Sequence, residues 1–351
     1  MLPHWKNLSV IRKLVQLASF IFLVYGAAII GFYASDKLSK ALPALSCAYD
    51  SQTADYCVLI PLQHQIGHML GPLIKAGAVG IAAIMSIAIT LGTFLLLFVL
   101  LNKAFCGWVC PLGTFQEFIG MLGQKLGLQR AEGLSDKAVD RIRPVKWLML
   151  GVLVFFFPLA SGLGYVGHEL GDPFCKICPS RIMTTLMGGD TNQLVVDTSS
   201  TTSIILSLIA DTMFGVILAL GLTMRQPFCR ICPLLAMHAL FRKVGLIRLS
   251  KSYTPRCEKC GLCAKACPMD IREIHTTQNK NALMPDCTLC GRCVEFCPDA
   301  GVLSLKYAVI PIKVSDPQYF KGRQQAQKAW EKNNLLTWWR SRRQAAATEE
   351  A

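Results

Sequence analysis

Charged residues are scarce in this chain of 351 residues: Asp, Glu, Lys and Arg make up 17% against 52% hydrophobic residues, a balance that excludes an ordinary soluble globule. Acidic residues are scarcer still, 22 against 36 Lys and Arg, for a formal charge of +14. Together with long apolar runs, this excess fits the cytoplasmic loops of an integral membrane protein in contact with lipid, and it sets nucleic acid aside as a partner. No Cys-x2-Cys-His occurs, so covalent c-type haem is not indicated. No Gly-rich phosphate loop or nucleophile motif supports an independent substrate-binding catalytic site. What the chain has in quantity is cysteine, 16 residues, in spacings that argue for metal ligation over a secreted disulfide scaffold.

Four apolar segments, 14–34, 76–101, 147–166 and 202–224, are each long enough to cross a hydrocarbon core of about 30 Å. The first three contain no charged residue, and the fourth carries only Asp211. Four spans put both termini on one side. Lys6, Arg12 and Lys13 precede the first span, and Lys103, Lys125, Arg130, Lys137, Arg141, Arg143 and Lys146 fill the second loop, which places that loop and the termini in the cytoplasm. The first loop has Lys37, Lys40 and Lys75, and the third has Lys176 and Arg181 among Glu169, Asp172, Asp190 and Asp197, so both are expected outside. The first apolar run is longer than a signal-peptide core and no small-residue cleavage site follows it, so it reads as an uncleaved span. The expected organisation is a four-span domain at 1–250, a cytoplasmic cysteine-rich domain at 251–310 and a basic tail at 311–351. Trp330, Trp338 and Trp339 lie among basic residues of that tail, suiting either an amphipathic helix on anionic headgroups or a solvated end.

The strongest motif is Cys257, Cys260, Cys263, Cys267-Pro268, repeated as Cys287, Cys290, Cys293, Cys297-Pro298. Three thiolates from one tight turn grip three corners of a cubane, while the fourth reaches the neighbouring cluster. The expected sets are Cys257, Cys260 and Cys263 with Cys297, and Cys287, Cys290 and Cys293 with Cys267. A pair of zinc ribbons would need neither the third cysteine nor the proline. Over 255–305 the chain resembles two-cluster bacterial ferredoxins, which implies two [4Fe-4S] electron carriers in a small α+β domain.

A second motif recurs three times: Phe105-Cys106 to Cys110-Pro111, Phe174-Cys175 to Cys178-Pro179, and Phe228-Cys229 to Cys232-Pro233. Two copies are followed by short apolar or amphipathic stretches, 112–122 and 234–241. Sorted by the loop charges, Cys106, Cys110, Cys229 and Cys232 share the inner face. Cys175 and Cys178 share the outer face with Cys47 and Cys57. Each group holds enough thiolates for one [4Fe-4S] site, and with the ferredoxin eight they account for every cysteine. For the inner four, zinc or free thiols are the alternatives. For the outer four, the alternative is two disulfides, Cys47 to Cys57 and Cys175 to Cys178, a Cys-x2-Cys disulfide being commonly redox-active.

The order of these motifs, with FCGWVCPLG after the second span and FCRICPLLAMHALF after the fourth, resembles the membrane polyferredoxins of the NapH type, related to the carboxy-terminal half of NosR. The resemblance covers about 80–305. It implies a bacterial cytoplasmic-membrane protein that takes electrons from quinol or relays them to an extracytoplasmic reductase, with its ferredoxin domain in the cytoplasm. Carried over by motif, it points to Cys106, Cys110, Cys229, Cys232 and the ferredoxin eight. Cys47, Cys57, Cys175 and Cys178 depart from the family's pattern and favour a more complete path across the membrane.

Asp211 is costly in lipid, and reads either as a proton-handling group at a quinone site or as a polar helix contact. His64, His68 and His168 suit a metal, proton exchange with quinol, or an ordinary surface. Arg242, Lys243, Arg248 and Lys251 read as a positive-inside flank or a docking patch for an acidic partner. The sum is a mainly α protein, a four-helix transmembrane bundle with a two-cluster ferredoxin domain, conducting electrons between redox partner proteins. Two other functions stand beside it: quinol oxidation with outer disulfides, and thiol or metal reduction by Cys175 and Cys178.

Overall fold

A computed structural model describes residues 8–30, 59–77, 81–128, 134–189, 191–318, 320–322 and 324–325. Cys47, Cys57, Trp330, Trp338 and Trp339 lie outside the described residues. Most of the described chain is helical. The main helices are α1 (Leu8–Ile30), α2 (Leu59–His64), α3 (Ile81–Leu101), α4 (Pro111–Leu126), α5 (Val145–Met149), α6 (Phe157–Leu163), α7 (Pro173–Ile177), α8 (Pro179–Met187), α9 (Thr201–Thr223) and α10 (Pro233–Leu240). π turns at Gln65–Leu70, Phe105–Val109 and Leu150–Phe156 interrupt the α pattern.

Among the described residues, three helices are long and apolar enough to cross a membrane: the stretches Leu8–Tyr25, Asp136–Leu163 and Thr201–Thr223. α3 adds a shorter apolar stretch, Ile87–Leu101. Large apolar side chains stand exposed along these helices, among them Leu14, Ile29, Ile89, Leu148 and Ile205, a surface suited to lipid rather than water. The stretch Thr201–Thr223 falls where 202–224 is expected. The stretches from Leu8 and from Asp136 begin before the expected starts at 14 and 147, for one reason. Charges read as lying beyond the apolar core are buried and paired inside the protein: Arg12 meets Glu117 at 2.5 Å, and Lys146 meets Asp286.

The cysteine-rich segment is closed by an antiparallel sheet in the order β1 (Ile247–Lys251), β2 (Leu303–Tyr307), β3 (Ile310–Val314). Register runs from Ile247 opposite Tyr307 to Lys251 opposite Leu303. Leu249, Leu303 and Leu305 point into a core shared with Val294, Cys293 and Cys297. Lys251 is part of that interior, donating from Nζ to the carbonyls of Ile274 (2.8 Å) and His275 (2.7 Å). It therefore does not join Arg242, Lys243 and Arg248 in an exposed docking patch.

Candidate iron–sulfur centres

The three Phe-Cys motifs fold alike at their second cysteine. Cys110, Cys178 and Cys232 take (φ, ψ) of (−57°, 119°), (−72°, 121°) and (−65°, 123°), the extended backbone that a following proline imposes. Each proline then opens a helix, α4, α8 or α10, where its missing N–H costs nothing. Phe105, Phe174 and Phe228 are buried in one apolar core, and they turn the three motifs toward each other.

The result is one cavity lined by Cys106, Cys110, Cys178, Cys229 and Cys232. Cys106, Cys110, Cys229 and Cys232 are thus brought together. Cys178 is brought in with them, near enough to Cys232 to raise its pKa electrostatically. The charge-based sorting puts Cys175 and Cys178 on the face opposite the inner four, whereas Cys178 lines the same cavity as those four. α1 runs from Ser9, which donates to Glu295 of the ferredoxin segment at 2.5 Å, to Tyr25, whose hydroxyl donates to the Met187 carbonyl at 2.9 Å. Those sixteen residues span about 24 Å, and the nine residues of α8 lead back about 13 Å from Met187 toward Cys178. Cys178 therefore lies well inside the protein. The third loop folds inward because Phe174 and Ile177 bury, while Lys176 satisfies its charge on Asp172 at 3.5 Å and its donor on the Glu169 carbonyl at 2.8 Å. Cys175 is buried, and Gln63 on α2 donates to its Sγ at 3.0 Å.

A second cavity is lined by Cys267, Cys287, Cys290 and Cys293, one of the two expected ferredoxin sets. Of the other set, Cys263 lies within electrostatic reach of Cys297 and Cys260, and Cys297 within reach of Cys257. Cys263 is also near Cys293, so the two sets adjoin. The left-handed glycines Gly261 (φ 57°) and Gly291 (φ 75°) make the tight turns between the second and third cysteine of each motif.

The donor chemistry fits iron–sulfur clusters. Burial pushes Cys267 up to about 12, with Cys290 adding and backbone hydrogen bonds opposing. Burial likewise takes Cys287 up to about 11, Cys229 to about 12 and Cys263 to about 11. Clustered thiolates desolvated in this way need a cationic, thiophilic partner to exist as anions. The linings are otherwise mostly apolar, with no carboxylate ligand.

The two cavities share Thr288. Leu235, Met269 and Ile271 pack with Cys106, Cys229 and Cys232 on one side and Cys267 and Cys287 on the other. Sequence reasoning misses the groups that press these parts together. Trp108 Nε1 donates to the Leu289 carbonyl at 3.0 Å. Lys103, fully buried, donates to the carbonyls of Met284, at 3.4 Å, and Pro285. Burial lowers its pKa to about 8, against the electrostatic pull of Cys287 and Cys106. Arg230 meets Asp270 at 2.6 Å and the carbonyls of Pro268 and Met269 at 3.0 Å. Glu117 receives Arg12 at 2.5 Å, Gln16 at 3.0 Å and Arg292 at 3.4 Å. Lys103 and Arg12 read in sequence as topology charges; nothing in their spacing marks them as joints.

Gly107 shows how close this contact is. A Cβ there would overlap the Thr288 carbonyl and crowd the Cys290 backbone. Gly107→Ala is expected to destabilise the protein by about 1–3 kcal/mol, the usual cost of overpacking, measured as a lower unfolding midpoint in detergent.

His64, His68 and His168 do come together, with ring centroids 4.9 and 4.8 Å apart, but the three are not placed to hold a single metal ion. Asp211 lies on α9 with Oδ1 buried and without a hydrogen-bond partner among the described residues.

Residues 82–129 and 208–252 match a 4Fe-4S binding domain family, and 256–303 match a 4Fe-4S dicluster domain family. The first match contains Cys106, Cys110, Cys229 and Cys232; the second contains all eight ferredoxin cysteines. Among curated relatives, an uncharacterized protein of Methanocaldococcus jannaschii is 27% identical over 189 residues, 52% of this chain and 66% of its own length. The methylamine utilization ferredoxin-type protein MauN of Paracoccus denitrificans is 27% identical over 183 residues, covering 52% and 53%. The ferredoxin-type protein NapH of Haemophilus influenzae is 25% identical over 171 residues, covering 48% and 49%. The chain thus spans about half to two thirds of the length of these relatives. No solved structure matches it significantly.

Proposed function

We propose that the chain, similar to the NapH and NosR ferredoxin-type proteins and matching 4Fe-4S domain families, is a membrane polyferredoxin carrying [4Fe-4S] clusters that relays electrons between a cytoplasmic or quinone-pool donor and an extracytoplasmic redox partner. In this reading Cys257, Cys260, Cys263 and Cys297 hold one cluster, and Cys267, Cys287, Cys290 and Cys293 hold the second. Cys106, Cys110, Cys229 and Cys232 hold a third at the membrane face, and Cys175 and Cys178 contribute, with Cys47 and Cys57, to a fourth. When bound, such clusters supply one-electron carriers whose potentials follow from burial, charge and hydrogen bonds to sulfur.

One observation carries the reading: the cavity of the membrane cysteines and that of Cys267, Cys287, Cys290 and Cys293 meet at Thr288. The chain's own residues hold that junction dry and fixed. Leu235, Met269 and Ile271 exclude water, while Trp108, Lys103 and Arg230 fix the loops that carry the cysteines. Cys178 in the same lining supports a path continuing deeper into the membrane domain. α1, α3, the α5–α6 helix and α9 form a four-span bundle in the inner membrane of a bacterium, with both termini cytoplasmic. Asp211, with its unpartnered oxygen, is the group we assign to proton exchange within that bundle.

The test uses the full chain in liposomes with trapped ferricyanide and an impermeant reductant outside. The expected result is ferricyanide reduction well above protein-free vesicles, lost in Cys175→Ser/Cys178→Ser. Equal rates with and without protein overturn the relay across the membrane.

A further inference from the structure

Two glutamines, far apart in sequence, make the same contact. Gln116 on α4 is buried, and its Nε2 donates to the carbonyl of Leu112, four residues back, at 3.2 Å and to Cys229 Sγ at 3.6 Å. Gln63 on α2 is buried, and its Nε2 donates to the carbonyl of Leu59, also four residues back, at 2.9 Å and to Cys175 Sγ at 3.0 Å. Cys229 and Cys175 hold the same place in their motifs, the first cysteine of Phe-Cys-x2-Cys-Pro. The amide of Gln116 is held in that orientation from its other end, since Oε1 accepts the Phe228 N–H at 2.9 Å. Both side chains are at most 1% exposed, where an amide is costly to bury and is retained only against a specific acceptor.

We propose that Gln116 and Gln63 are positioning residues that set cluster potentials, each giving an amide hydrogen bond to a ligating sulfur. The inference rests on the reading of Cys229 and Cys175 as cluster ligands. Hydrogen bonds to ligand sulfur favour the more electron-rich, reduced state, so they raise the potential. The repetition also treats the second Phe-Cys motif as equivalent to the third: Cys175, like Cys229, is set up as a thiolate acceptor.

Gln63→Met removes the donor at nearly constant volume and orphans no described partner, because Gln63 Oε1 accepts no hydrogen bond among the described residues. Gln116→Met also orphans the Phe228 N–H, so the Gln63 variant decides if the Gln116 variant fails to assemble. Wild-type and variant full-length proteins are titrated with dithionite and followed by EPR, with iron and sulfide counted per chain. Unchanged iron is expected, with one reduction step in each variant moved to lower potential. A tenfold loss of electron affinity would be a shift of about 59 mV for a one-electron step. Full iron with unmoved potentials overturns the role of the amides and leaves the ligand reading standing. Loss of iron in Gln63→Met also overturns it, since the glutamine would then be needed only to build the site. Wild-type protein with no cluster beyond the ferredoxin pair defeats the ligand reading itself.

Discussion

Cys106→Ser/Cys229→Ser is expected to remove about four irons per chain and to leave the roughly eight of the ferredoxin motifs in place. One cysteine is taken from each of the two motifs that meet at the membrane face, so no complete set of four remains in that cavity. The ferredoxin motifs draw on separate residues and close their own core around Val294, Leu303 and Leu305. Dithionite should still reduce the variant's soluble clusters. Passage of those electrons into the membrane domain should stop, because the carrier that adjoins Cys287 through Met269 and Ile271 is gone. Iron analysis with EPR of the reduced protein checks the first effect, and trapped ferricyanide checks the second. Retention of all iron would mean that these cysteines ligate nothing.

The second large effect is at Glu117. Glu117→Ala is expected to destabilise the protein by about 3–5 kcal/mol, because it leaves Arg12 buried without its counter-charge. Arg12 is 1% exposed and Arg292, the other partner, is adjacent to Cys293. Loss of Glu117 therefore loosens the first helix and the second ferredoxin motif together. The same site predicts a pH dependence. Burial raises the Glu117 carboxyl, but Arg12, Arg292 and the hydrogen bond from Gln16 outweigh it and hold it at about 2. An unfolded glutamate titrates near about 4.3. The stabilisation is thus complete above about pH 4.3 and is lost as pH falls toward 2. Unfolding midpoints in detergent should show this loss in wild type and a flatter profile in Glu117→Ala. Equal profiles would remove Glu117 from the joint.

Much of the centre was legible because the chemistry is written in spacing. Three cysteines in one turn and a Cys-Pro can be read without coordinates, and so can the recurrence of Phe-Cys-x2-Cys-Pro. The place of Cys178 was not legible. Loop charge reports on which side a loop emerges, and it is silent on how far an apolar loop such as Phe174–Ile177 folds back into the core. Arg12, Lys103 and Lys146 were misread for a related reason: counted as topology signals, they are buried partners of Glu117, Pro285 and Asp286. Pairing across more than a hundred residues leaves no local periodicity. Gln63 and Gln116 carry only the weak signal of a polar residue in an apolar stretch. Their meaning depends on the sulfur opposite.

The most direct test is iron and acid-labile sulfide per chain on full-length protein purified anaerobically. The account predicts at least about twelve irons, and about sixteen with the fourth site filled, with matching sulfide. About eight, all in the ferredoxin motifs, would contradict it.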